Sequence, residues 1–192
     1  LMDLAATQGA AFVGLSPLHA LFAHQPEQAT PYSPASRLAL NPLFIDVPGL
    51  PEFALCEPAQ TLVAGAAFQH RLRALREAGE GRYAEVAAIK HEVLRLLWAH
   101  FRAQPRGERT RAFDDFRRER ADTLGRHALW EAIQCRLHAA DASVWGWPAW
   151  PAALQRHDSP EVEAFARGHA DEVAYRFWLQ WVAEDQLPQV QR

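Results

Sequence analysis

The residues best suited to chemistry lie between Thr30 and Asp46, a segment with three prolines, a tyrosine, two serines, an arginine and the sequence's only asparagine. Prolines fix the backbone angle φ and restrict the unfolded chain, so a loop of this composition is stiff. A tyrosine beside hydroxyl, amide and guanidinium groups suits a sugar, because its ring offers an apolar face and its neighbours can bind hydroxyls. Composition alone leaves open a proline-rich surface turn without a ligand.

Other constellations point to chemistry less strongly. His127 and Glu131 are four residues apart on a predicted helix, but they lack the further ligands that a closed zinc site needs. The adjacent acids at 114–115 and 184–185 would diverge on helices, which is typical of solvated faces. We find no phosphate-cradling glycine loop and no Gly-x-Ser-x-Gly motif. The sequence therefore predicts no metal site and no cofactor.

Composition limits the classes of protein to consider. The 192 residues suit one ordinary domain, and 49% are hydrophobic, which argues against disorder. The net charge of −3, with arginines interleaved with acids, argues against nucleic acid as a partner. No apolar run approaches membrane length, so no membrane association is expected. Cys56 and Cys135 are far apart without metal-type spacing, which predicts a cytoplasmic protein.

The first part of the chain predicts little regular structure. Residues 2–9 resemble the end of a helix stopped by Gly9, and the opening residues read as a helix cut within a longer domain. The apolar run Ala10–Leu15 has the form of a buried parallel strand. The proline-rich segment follows as a loop.

Helical periodicity dominates from Pro58 onward. It predicts one helix to about Gly79, a second over Tyr83–Gln104, and a third over Glu108–Ala140 with an interruption near 123–125. After a loop at 141–158, Ser159 is a suitable N-cap and Pro160 a suitable first helical residue. This last helical region is expected to break near Gly168 and to end at about Leu187, before Pro188.

Four segments together resemble a known family. They are Gly14–Phe22 (GLSPLHALF), Thr30–Asp46 (TPYSPASRLALNPLFID), Trp145–Pro151 (WGWPAWP) and Tyr175–Trp181 (YRFWLQW). In this order they are similar to the amylomaltases, the 4-α-glucanotransferases of the α-amylase superfamily, in their bacterial maltodextrin-utilisation form. The resemblance covers nearly the whole chain, and the combination is specific although each segment alone is weak.

The resemblance implies an intracellular enzyme that moves α-1,4-glucan segments between maltodextrins. Its fold would be a (β/α)8 barrel with large helical insertions, and its chemistry would be retaining, with a carboxylate nucleophile and a carboxylic acid/base. In this family those carboxylates follow the matched segment, so the chain is expected to be a fragment without catalytic residues, inactive alone. The expected fold is mainly α: a barrel strand and active-site loop in residues 1–57, and a helical insertion subdomain in 58–192. An unpaired strand would also favour self-association.

The resemblance assigns substrate contacts in the parent enzyme. Tyr32 falls at the tyrosine of the family's Ser-Pro-Tyr motif, where it would line the sugar site, and Thr30 keeps the hydroxyl of that motif. Ser33, Asn41 and His19 complete the expected substrate-binding set of α-1,4-glucan contacts. Asn41 is equally suited to holding the loop, and His19 is equally suited to a structural role. A tyrosine packed beneath its own loop is the alternative for Tyr32.

Two further alternatives remain open at this point. Trp145, Trp147 and Trp150 could form a carbohydrate platform or a hydrophobic plug that pins their loop, and the plug is the favoured interpretation. The chain could also be a non-enzymatic helical protein-interaction module. A self-contained glycosidase would need a pair of carboxylates that the sequence does not identify.

Overall fold

The protein is described from a computed structural model that places residues 2–14, 16–79 and 81–190. The described residues are mainly helical, as the sequence predicts. The helices are α1 (Met2–Thr7), α2 (Pro51–Leu55), α3 (Glu57–Ala64), α4 (Ala66–Glu77), α5 (Tyr83–Ala103), α6 (Glu108–Glu119), α7 (Arg126–Ala140), α8 (Pro160–Gly168) and α9 (Ala170–Val190). Within these residues no helix is long and apolar enough to cross a membrane.

A single two-stranded sheet is formed by the described residues. Its strands are β1 (His19–Ala20) and β2 (Ser36–Leu40), which are antiparallel, with His19 opposite Leu40 and Ala20 opposite Ser36. A small apolar cluster joins this strand pair to α7 and α9, and its buried members are Ala20, Ala39, Leu124, Ala128 and Phe177. The strand pair that flanks the intervening loop therefore packs against α7 and α9.

Aromatic packing between α5, α6 and α9 forms the main core. Trp98, Phe101, Phe113, Trp178 and Trp181 are all buried. Neighbouring ring centroids lie 5.2–6.1 Å apart, for example 5.2 Å between Phe113 and Trp181 and 5.8 Å between Trp98 and Trp178. Such contacts add to the stabilisation from burying the rings. This core fixes α9, which in turn holds the loop segment described below.

Two local signals in the sequence are confirmed. Ser159 caps α8, because its Oγ accepts a hydrogen bond from the Val162 amide at 3.2 Å. The predicted interruption near 123–125 is a π-helical turn over Ala121–Gly125, in which the Gly125 amide donates to the Arg120 carbonyl at 3.0 Å. Glycine is suited to that turn, since a Cβ on Gly125 would lie 3.1 Å from the Phe177 ring.

The run Ala10–Leu15 has the pattern of a buried strand but is expected to be irregular or frayed where its edges are unpaired, and the structure agrees for the residues it describes. Residues 10–14 have no strand structure, Phe12 is 86% exposed, and Leu15 lies outside the described residues. An apolar run becomes a strand only when it has a neighbour to pair with, and none is placed beside this one within the described chain. The sheet lies instead at 19–20 and 36–40, which the sequence reading assigned to loop.

The helices also differ from the prediction in three places. Helical structure begins at Pro51, not at Pro58, and the single helix expected up to Gly79 is divided at Gly65, whose backbone is extended (φ −63°, ψ 138°). At the other end, α9 continues past Pro188 to Val190. A proline in the last turn removes one amide donor near the helix end, where fewer backbone bonds depend on it.

Candidate functional site

Tyr32 lies in the loop between β1 and β2, four positions before β2 begins. Its side chain is 77% exposed. Thr30 and Ser33 flank it, are also exposed, and are joined by a hydrogen bond from the Ser33 amide to the Thr30 carbonyl at 3.4 Å. The alternative of a tyrosine packed beneath its own loop is therefore wrong for this structure, and the ring and two hydroxyls face solvent together.

Asn41 secures the segment that follows β2. Its Oδ1 accepts a hydrogen bond from the Leu43 amide at 3.0 Å, which caps a 3-10 turn over Pro42–Phe44. The backbone N–H of Asn41 donates to the Leu18 carbonyl at 2.9 Å, and the residue is 6% exposed. Asn41 thus has the loop-holding role that the sequence left open, and contact with a sugar remains a prediction.

Lys90 on α5 binds the backbone of the same segment. Its ammonium group donates to the carbonyl oxygens of Leu43 and Ile45 at 2.5 and 2.6 Å. Burial lowers the pKa of Lys90, and the nearby charge of Asp46 acts in the opposite direction. The only lysine of the sequence is therefore a backbone clamp.

Two glutamines of α9 complete the support. Gln180 accepts from the Leu40 amide at 2.8 Å and donates to the Leu40 carbonyl at 2.9 Å. Gln186 makes the same pair of bonds to the backbone of Asp46, at 2.9 and 2.8 Å. Each amide side chain thus satisfies a backbone donor and acceptor in the manner of a neighbouring strand. The segment from residue 40 to 46 is held at both ends.

A buried ionic network lies beneath the loop. Arg176 on α9 forms ion pairs of 2.7 Å with both Glu131 on α7 and Glu172 on its own helix. The Arg176 side chain is 11% exposed and that of Glu131 is 5% exposed. Burial would raise the pKa of Glu131, but the charge of Arg176 and the hydrogen bond to it hold that pKa below its ordinary value. Glu131 is therefore an ionised carboxylate.

A histidine–tyrosine pair extends this network. The Tyr175 hydroxyl lies 2.7 Å from His91 Nδ1, and the Arg95 guanidinium stacks 3.6 Å from the centroid of the Tyr175 ring. Burial raises the pKa of Tyr175, and burial followed by the charge of Arg176 lowers the pKa of His91. At neutral pH the neutral hydroxyl is thus the donor and the neutral imidazole the acceptor.

This network is suited to support and not to glycoside chemistry. A two-carboxylate mechanism needs one protonated acid beside one ionised carboxylate. Glu131 and Glu172 instead share one guanidinium, which stabilises the charged forms. A small cavity lined by Glu131, His91, Asn41 and Phe22 joins the network to the loop. In the part of the chain that the structure describes, no group of three or more His, Cys, Asp or Glu could hold a metal ion.

The five predicted contact residues do not converge on one pocket. Tyr32, Thr30 and Ser33 are exposed neighbours in the loop between β1 and β2. His19 lies in β1 and lines an open cleft of about 430 Å³ whose charged members are Arg37, Arg120 and Glu184. Asn41 lies beside that strand but faces the cavity at His91 and Glu131.

The supporting side chains were missed at the sequence level, although a signal was present. Gln180 interrupts the apolar run Phe177–Trp181 and is only 2% exposed. Glu131 lies on the same helix as the buried Ile133 and is also buried. A polar residue on the apolar face of a helix needs a partner, and each of these residues contacts the loop or its supporting network.

The three tryptophans of the loop between α7 and α8, here called the tryptophan loop, do not share one role. Trp150 is 5% exposed, packs with Ile133 and Val162, and donates its Nε1–H to Gln134 at 2.6 Å, which confirms the plug for this residue. Trp145 and Trp147 are 60% and 49% exposed. The plug interpretation does not account for these two side chains.

Comparison with known proteins identifies relatives over the whole chain. A family model described as 4-alpha-glucanotransferase matches residues 1–192. A 4-alpha-glucanotransferase of Haemophilus influenzae is 31% identical over 197 residues, which cover 100% of this chain and 28% of that protein. Those of Mycobacterium bovis and Mycobacterium tuberculosis are 29% identical over 203 residues, covering 97% of this chain and 25% of each protein. The chain thus spans about a quarter of the length of these relatives.

Proposed function

Because the chain belongs to the 4-alpha-glucanotransferase family, we propose that it supplies a substrate-binding loop, with its helical support, to an enzyme that transfers α-1,4-glucan segments between maltodextrins. The proposal rests on two features taken together: Tyr32 is exposed, and Leu40 and Asn41 at the base of its loop are held by hydrogen bonds. An aromatic ring on a rigid loop can orient a sugar at little entropic cost.

Each predicted contact has a role in this proposal. Tyr32 stacks on a glucose ring, and the hydroxyls of Thr30 and Ser33 bind its hydroxyl groups. His19 contributes at the cleft beside β2. Asn41 acts mainly by holding the loop, since its Oδ1 already accepts from the Leu43 amide.

The chemical step is assigned to residues outside these 192. The family resemblance implies a retaining mechanism, in which a carboxylate forms a glycosyl-enzyme and an acid/base serves the leaving and accepting groups. Support comes from the ionic network, where the paired acids Glu131 and Glu172 are committed to Arg176. Support also comes from the chain's spanning only about a quarter of its relatives' length.

Exposed apolar side chains are consistent with a larger protein. Phe12, Leu38, Phe44 and Leu55 are between 62% and 86% exposed. In the proposal the remainder of the full-length protein covers them, and the isolated chain self-associates through them. A cytoplasmic location also belongs to the proposal, supported by the free thiols of Cys56 and Cys135.

Maltotriose disproportionation tests the proposal. We expect the full-length protein to convert maltotriose into glucose and longer maltodextrins, and the purified 192-residue chain to convert none, since binding groups cannot replace two catalytic carboxylates. Absence of transfer by a folded full-length protein would contradict the transferase. Glucose release by rigorously purified chain would contradict the placement of catalysis outside it.

A further inference from the structure

An aromatic cleft is formed by residues outside the proline-rich segment Thr30–Asp46. It has a volume of about 360 Å³ and lies between α7, the tryptophan loop and α8. Three indole rings and four aliphatic side chains form its walls, and three polar side chains complete the lining. The indoles are Trp130, Trp147 and Trp150, the aliphatic residues are Leu129, Ile133, Leu154 and Val162, and the polar residues are Arg126, Gln155 and His157.

The tryptophans of this cleft are fixed before any ligand arrives. Trp147 Nε1 donates to the Gln155 carbonyl at 2.9 Å, and the Gln155 side chain donates to the Trp150 carbonyl at 2.9 Å. Trp150 Nε1 donates to the fully buried Gln134, and the Trp150 and Trp130 rings stack with centroids 6.3 Å apart. The N–H groups of Trp147 and Trp150 are therefore satisfied within the protein. The rings need no reordering on binding, which removes a large part of the cost of association.

The chemistry of the cleft fits a pyranose ring better than other occupants. Its volume falls in the range of small-ligand sites, roughly 300–1,000 Å³, and is too small for the face of a partner helix. Indole faces complement the C–H faces of a sugar, and Arg126 and His157 at the rim can bind hydroxyls. Arg126 is already paired with Asp122 at 3.1 Å, which makes the rim a weak phosphate site.

We propose that this cleft is an auxiliary binding site for α-1,4-glucan, which binds a polymer strand through residues other than those of the segment Thr30–Asp46. The ligand class rests on the proposed function of the protein. The lining residues of the cleft do not overlap with the segment Thr30–Asp46, so the two sites can be changed independently. A site of this kind retains long glucans and has no effect on short donors that fill only the reaction site.

The test compares Trp147→Ala with Trp145→Ala in the full-length protein, by electrophoresis through native gels that contain amylose. Trp145 is a matched control, because it lies in the same loop and is exposed but does not line the cleft. We expect Trp147→Ala to weaken retention by amylose about tenfold, the scale of one lost stacking contact. Trp145→Ala is expected to stay within about twofold of wild type. Transfer on maltotriose should be unchanged in both variants.

A second pair of variants protects the test against loss of folding. Trp147→Phe keeps a ring face and should retain most of the amylose binding, whereas Leu154→Trp fills the cleft and should reduce it. Equal retention of all four variants and wild type, with normal melting, would overturn the inference. The two proposals can fail separately. If the wild-type protein shows no transfer on maltotriose, but Trp147→Ala still weakens retention by amylose, the proposed function fails and the cleft remains a glucan site.

Discussion

At the scale of single residues, a charged pair lies within the largely apolar interior. Arg176 and Glu131 are both nearly buried and paired at 2.7 Å. A buried ion pair adds little net stability over an apolar pair of similar size. Removal of one partner is nevertheless destabilising, because the remaining buried charge has no opposite charge beside it. Arg176 keeps Glu172 as a second partner, which limits the loss.

Replacing Glu131 with leucine should destabilise the protein by about 3 kcal/mol, the lower end for a broken buried ion pair. Urea denaturation of the full-length protein measures this difference. The pair Arg167–Glu163 is the control, because its side chains are 73% and 66% exposed, and Glu163→Leu should cost less than about 1 kcal/mol. Equal losses of unfolding free energy in the two variants would contradict a larger contribution from the buried ion pair.

Acid should destabilise the fold before its carboxylates titrate. Burial is the main cause that holds the pKa values of His24, His91 and His127 below 6.5. The unfolded chain therefore binds protons more strongly than the native state as pH falls through 6.5, and the free energy of unfolding decreases. Glu131 also has a lowered pKa, but its contribution is lost only below its ordinary value of 4.5.

We expect the melting temperature of the full-length protein to fall by several degrees between pH 7.5 and pH 5.5, at about 4 °C or less per kcal/mol lost. His91→Gln should make this fall shallower, because a glutamine cannot take up the proton. A melting temperature that rises toward pH 5.5 would contradict the assignment of neutral buried histidines.

At the scale of elements, α9 acts as a template for the segment from residue 40 to 46. Gln180 and Gln186 each bind one backbone amide and one carbonyl, so the two ends of the segment follow the helix. The two clamps have similar geometry but different burial: Gln180 is 2% exposed, whereas the Gln186 bonds are exposed to solvent. Water can replace the second clamp more readily than the first.

Gln180→Leu should therefore cost about 2 kcal/mol of unfolding free energy, because two backbone groups of Leu40 lose their partner at a partly buried position. Gln186→Leu is the matched control and should cost less than about 1 kcal/mol. Hydrogen exchange of the Leu40 amide in the full-length protein gives a local readout, with faster exchange in Gln180→Leu alone. Unchanged protection in that variant would contradict the clamp.

Elements with local signals could be predicted from the sequence, and elements that depend on distant partners could not. The helix Tyr83–Ala103, the Ser159 cap and the break at Gly125 follow from periodicity and neighbouring residues. The strand β2 pairs with a two-residue strand and is seated on α9, so its form depends on contacts that no local window contains.

The candidate site shows the same division. The position of Tyr32 on a proline-rich loop could be read from residue types and family resemblance. The clamp from Gln180 to Leu40 joins residues 140 positions apart, which periodicity does not encode. Polar residues within apolar helix runs were the available signal, and they indicate that a partner exists without identifying it.

At the scale of the whole molecule, the chain is a helical support that displays one loop. The aromatic core between α5, α6 and α9 fixes the helices, and the clamps of α5 and α9 transmit that order to the loop base. Rigid elements that carry an exposed aromatic ring are a general arrangement for substrate-binding loops. The family members that the chain matches are about four times as long as the chain.

The central claim is that Tyr32 contacts the transferred glucan, and one variant tests it most directly. In the full-length protein, Tyr32→Ala should lower the transfer rate on maltotriose about a hundredfold, because a misoriented sugar reacts slowly. Its melting temperature should stay within about 2 °C of wild type, since the side chain is 77% exposed. Tyr83→Ala, at a 41% exposed tyrosine that begins α5, is the control and should preserve the rate. A transfer rate near wild type in Tyr32→Ala, with or without a loss of melting temperature, would contradict the account.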